Sequence, residues 1–85
     1  MHVVLIRARL HDVQQASLLL PLMKPLHGFV SAQWVGLSDD SGIALVAFET
    51  GDAANAAVEL MKVTPPQPEV MSIEGVEMGE VLAHV

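Results

Sequence analysis

Two stretches of apolar residues at helical spacing each lie between runs of β-branched and aliphatic residues, and that order leaves few folds open. Val3 to Leu10 reads as a first strand. Asp12 then stands where it can accept from the free amides of a helix start. Gln15, three residues on, can reach back in a variant of the capping box. Val13, Ala16, Leu19, Leu20 and Met23 recur at helical spacing. Pro21 has no amide for the carbonyl of Ser17, so this helix is expected to kink or stop there. Pro25 and Gly28 close the segment.

Phe29 to Leu37 reads as the second strand and Ile43 to Glu49 as the third. Ser38-Asp39-Asp40-Ser41-Gly42 forms the turn between them, with Gly42 expected at positive φ. Thr50 can cap a second helix, and Asp52 suits its positive dipole end. Ala53, Ala56, Ala57, Leu60 and Met61 make its narrow apolar stripe, small enough for close approach to a sheet. Thr64-Pro65-Pro66-Gln67-Pro68 is a stiff connector. Val70 to Val85 is extended, and its alternation slips at Gly75 and Gly79, which points to a bulge or to two shorter strands.

The order is β-α-β-β-α-β, which predicts one α+β domain over residues 1–85, ferredoxin-like, with a four-stranded antiparallel sheet. The split βαβ plan gives strand order 4-1-3-2, with the last strand antiparallel to the first. An in-step register sets His2 opposite His84, Val4 opposite Leu82, Ile6 opposite Glu80 and Ala8 opposite Met78. Glu80 beside Ile6 is the awkward member and places the expected bulge at Gly79.

An 85-residue chain has a thin core. Without cysteine it has no disulfide, thiolate metal site or cysteine nucleophile to add. Yet 52% of its residues are apolar and only 16% charged. A subunit interface would absorb that excess, so a homodimer is expected. The uncovered face of the sheet, with Val3, Leu5, Val35, Ile43, Leu45 and Val81, is the surface it would use.

The net charge of −6, with Arg7, Arg9, Lys24 and Lys62 as the only permanent cations, argues against a nucleic-acid partner. No apolar run reaches membrane-span length, and MHVVLIRARL has neither the basic start nor the cleavage site of a signal peptide. No membrane association is expected, and a cytoplasmic location is the default.

His27-Gly28-Phe29-Val30-Ser31-Ala32, Ala44-Leu45-Val46-Ala47-Phe48-Glu49-Thr50 and Asp52-Ala53-Ala54 resemble the antibiotic-biosynthesis-monooxygenase-like branch of the dimeric α/β-barrel superfamily. That branch reads Pro-Gly-Phe into its second strand, where this chain has His27-Gly28-Phe29. It then has a strand ending in an aromatic-acid-Ser/Thr step, here Phe48-Glu49-Thr50, before an alanine-rich helix. The match covers residues 1–63 in order and spacing. It implies a homodimer whose two sheets close into a dimeric α/β barrel, with a pocket between sheet and helices in each subunit. Members include cofactor-independent oxygenases and haem-degrading enzymes. The haem-degrading type uses an Asn on the first strand, a Trp at the end of the third and a His on the second helix. Here there is no Asn in residues 1–10, Phe48 falls at the Trp position, and no His lies in residues 50–64. No catalytic residue of that type carries over, and no cofactor is expected.

Four groups of residues are candidates for chemistry. Arg7 and Arg9 share a strand face and read either as a cationic clamp for a carboxylate or phenolate ligand or as structural ion-pair members. Trp34 and Phe48 fall on the other face with Val4, Ile6, Val30, Ala32 and Val46. They read either as plain core or as the wall of an aromatic-lined pocket. Trp34 needs a partner for its indole N–H in both cases.

Of His2, His11, His27 and His84, His27 lies nearest the expected pocket mouth and is the general-base candidate; no Ser/His/Asp order or His-x-x-x-His spacing supports it. Asp39, Asp40, Glu69, Glu74, Glu77 and Glu80 lack the dense alternation of a calcium loop, and no metal is expected. The reading is a dimeric barrel that binds a small hydrophobic or aromatic molecule. A cofactor-independent monooxygenase or isomerase and a structural or regulatory interaction module are the alternatives.

Overall fold

A computed structural model describes residues 1–37, 40–64 and 66–85. Its elements run β1 (His2–Leu10), α1 (Val13–Leu19), a 3₁₀ turn (Leu20–Met23), β2 (Phe29–Gly36), β3 (Ser41–Phe48), α2 (Gly51–Val63) and β4 (Met71–Glu80). The four strands form one antiparallel sheet in the order β2-β3-β1-β4. This is an α+β arrangement compatible with a ferredoxin-like fold.

The local signals act as the side chains suggest. Asp12 accepts from the Gln15 amide at 3.0 Å and starts α1. Thr50 accepts from the Ala53 amide at 3.1 Å and starts α2. Lys62 sits in the last turn of α2 and Asp52 in its first, each complementing the dipole end it faces. At Pro21 the α-helix gives way to the 3₁₀ turn.

Both helices cover one face of the sheet. Val4, Ile6, Ala8 and Leu10 of β1 and Ala44, Val46 and Phe48 of β3 point to it and are buried, and Ala53, Ala54 and Ala57 of α2 pack against them. Gly28 sets how close the chain runs to α2. It takes φ +76°, and a Cβ there would lie 2.7 Å from the Ala53 Cβ.

Three details differ from the sequence expectations. The β1–β4 register is displaced by four residues from His2 to Ile6 and by five at Ala8, beyond the bulge. His2 lies opposite Glu80, Val4 opposite Met78, Ile6 opposite Val76 and Ala8 opposite Ile73. β4 stops at Glu80, so His84 lies beyond the ladder. The irregularity comes at Glu74, between the Arg7–Gly75 and Ala8–Ile73 pairs, and Gly79 pairs regularly with Val3. The extra residue inverts the alternation there, turning Val76 and Met78 toward the helix side and Glu77 away from it.

The second difference is a bulge in β2. Phe29 pairs with Phe48 and Ser31 with Ala47, so Val30 is left over and exposed at 47%. Phe29 takes the place expected for Val30 and meets Phe48 edge-to-face at 6.3 Å. The third concerns the β2–β3 turn, where Ser38 and Asp39 lie outside the described residues. Asp40 takes positive φ (63°), and Gly42 is ordinary strand. Asp tolerates that conformation through its short polar side chain. Gly42 has a packing reason instead: a Cβ there would lie 2.7 Å from Leu10 Cδ1. In the connector after α2, Pro65 is likewise outside the described residues.

Candidate functional site

Pro21 ends α1 after two turns, and the chain continues as a leucine-rich 3₁₀ turn rather than a long packed helix. A short helix beside a longer one leaves space above the middle strands. That space is a cavity of about 320 Å³ between the sheet and the helix layer. Its volume lies at the low end of the range typical for small-molecule sites, roughly 300–1,000 Å³.

The floor is Val4, Ile6, Val46 and Phe48, with 3% exposure or less. One wall comes from the end of α1 and the turn after it, including Leu19, Leu22, Met23 and Leu26. The facing wall is the C-terminal half of α2, including Leu60, Met61 and Thr64. Trp34 closes one side, and Met71 and Ile73 of β4 the other. Leu22 at 70% exposure, Leu60 at 46% and Ile73 at 37% mark the rim.

Among the described residues two polar side chains line this space, and both are already committed. The indole N–H of Trp34 donates to the Ala16 carbonyl at 3.2 Å. The Thr64 hydroxyl donates to the Leu60 carbonyl at 3.0 Å. No Asp, Glu, Lys, Arg or His lines the cavity among the described residues.

Trp34 and Phe48, paired by the sequence reading, both contribute to it. Arg7 and Arg9 do not join them. They project from the opposite face of the sheet with Val3 and Leu5, as the strand period requires. His27 is exposed in the loop before β2 and is not part of the lining. The wall of Leu22, Leu26, Thr64, Pro66 and Ile73 was not anticipated from sequence. The available signal was Pro21, whose break splits the leucine run over two short turns.

The remaining titratable groups are scattered. His11 Nε2 and Ser72 Oγ form a hydrogen bond at 2.9 Å on an exposed surface. His2 Nε2 lies 3.8 Å from Glu80 Oε2, and its ring packs against Gly51 at the start of α2. No group of three or more His, Asp or Glu among the described residues is placed to hold a metal ion. No helix among them is long and apolar enough to cross a membrane.

No helix among the described residues covers the opposite sheet face. Val3, Leu5, Ile43 and Leu45 make a half-buried apolar patch with the buried Ala47 and the exposed Val35. Arg7 and Glu77 lie on the same face at its border. A scan against models of protein families finds no match, and a search of curated proteins finds none either.

Proposed function

We propose that this chain is a homodimer of the dimeric α/β-barrel kind, and that each subunit holds a small hydrophobic molecule between its sheet and its helices. The observation that carries the binding role is the cavity, predominantly apolar and floored by Phe48 and the central strands. The bare sheet face supports the dimer. Its apolar patch would otherwise stay in water, and burying it gains roughly 25 cal/mol per Å². Arg7 and Glu77 at the border give two copies opposite charges to set against each other across a two-fold axis. The resemblance of Gly28-Phe29 and of Phe48-Glu49-Thr50 to the monooxygenase-like branch agrees with both.

Among the described residues the cavity lining offers no ionisable group for proton transfer, so holding a ligand is favoured over transforming one. Trp34 is the sole tryptophan and reports on the site directly. Titration with the neutral dye Nile red should quench or shift the Trp34 emission saturably and raise the melting temperature. A linear, non-saturating response with an unmoved melting temperature would refute the binding role.

A further inference from the structure

We infer that the ligand of this cavity is electrically neutral and aliphatic, an alkyl chain or a compact branched hydrocarbon body whose polar end stays at the rim. The inference rests on the cavity reading above and specifies its chemistry. Three independent features point the same way.

The first is donor supply. An anion leaving water needs hydrogen-bond donors to replace its hydration. The two side-chain donors in the lining are spent, Trp34 Nε1 on Ala16 and Thr64 Oγ1 on Leu60. The strand amides of the floor belong to the antiparallel ladders.

The second is the direction of the helices. The lining residues of α2 are Ala57, Leu60 and Met61, followed by its C-cap Thr64, and those on the other side come from the end of α1 and the 3₁₀ turn after it. The lining includes no residue of the first turn of either helix, so no free first-turn amides and no positive dipole end are supplied to a carboxylate or phosphate. A cation would find no carboxylate lining the cavity among the described residues to pair with it.

The third is the character of the open walls. Phe48 has no exposed surface, and its ring is engaged edge-to-face by Phe29. Only half-buried Trp34 is left as an aromatic surface. The accessible walls are leucine, isoleucine and methionine, and methionine adapts to chains of varied shape. A flat aromatic ligand finds no pair of facing rings to stack between.

The test compares 1-decanol, decanoate, decylamine and 2-naphthol by calorimetry and by Trp34 emission on the full chain. Decanol should bind best. Decanoate at pH 8 and decylamine should each be weaker by about tenfold or more, which corresponds to roughly 1.4 kcal/mol. Leu60→Lys, a change at the exposed rim, should raise the affinity for decanoate relative to decanol by about tenfold, whatever it does to the affinity for decanol itself. Decanoate binding as tightly as decanol to the wild-type chain, or naphthol binding tighter than decanol, overturns the inference while the cavity reading stands. Absence of binding by all four overturns both.

Discussion

The indole N–H of Trp34 on β2 donates to the main-chain carbonyl of Ala16 on α1, 3.2 Å away, and Pro21 is the reason that carbonyl is there to accept. Pro21 has no amide, so Ser17 O has no donor from the residue four places ahead. It takes the Leu20 amide instead, three places ahead, and the helix tightens into the 3₁₀ turn. In a continued α-helix the Leu20 amide would have gone to Ala16. The Ala16 carbonyl turns to the tryptophan across the core. One backbone donor missing at Pro21 is thus made good by a side chain on another element, and the same step opens the cavity.

Pro21→Ala tests that chain of substitutions. An amide at position 21 lets α1 continue, returns Leu20 N–H to Ala16 and leaves the indole without its partner. Trp34 emission should shift and broaden, and helical circular dichroism should rise. An emission spectrum identical to that of the parent would show that the Trp34–Ala16 bond does not depend on the helix break.

Much of the fold was legible because its determinants are local. Asp12, Thr50 and Pro21 act through their own backbone neighbourhood, and each acts where the sequence puts it. The strand order followed from the element order. Register was less accessible, because it depends on which strand faces must be buried together. The bulge at Glu74 moves Val76 and Met78 to the helix side, and the alternation from 70 to 85 showed that it slips without showing where. Val30 and Phe29 exchange roles for the same reason. Trp34 and Phe48 were visible as a pair on one face. The wall opposite them was not, because Thr64, Pro66 and Ile73 reach the cavity only through the path of the connector after α2.

Gly28 is where a single methyl group should cost most. It combines positive φ with a Cβ position 2.7 Å from Ala53. Left-handed backbone costs a non-glycine residue roughly 1–2 kcal/mol, and forcing a tightly packed contact costs about 1–3 more. Gly28→Ala should therefore destabilise by about 2–5 kcal/mol in urea unfolding. Gly36→Ala, with nothing within 4 Å and no positive φ, should change stability by less than about 1 kcal/mol. Equal effects at the two positions would show that Gly28 relaxes without strain.

Thr50 is the hinge between β3 and α2, and its hydroxyl holds the Ala53 amide at 3.1 Å. Thr50→Ala should lose about 1 kcal/mol, and Thr50→Ser should recover most of it, since serine caps as well as threonine does. A serine variant as unstable as the alanine one would assign the loss to the methyl group rather than to the cap.

The bare sheet face makes the sharpest demand on assembly. Leu5 and Leu45 are cross-strand partners at the centre of its apolar patch, and no helix lies over them. Light scattering at micromolar concentration should give about twice the chain mass of 9.1 kDa. Leu45→Glu sets one charge on that face in each copy, and a two-fold interface would bring the two charges into a dry setting together. The variant should be monomeric, with its strand signal retained because the helix-covered core of Val4, Val46 and Phe48 is untouched. A parent chain that runs as a monomer at that concentration would remove the dimer from the proposal and leave the cavity as the site of a monomeric binder.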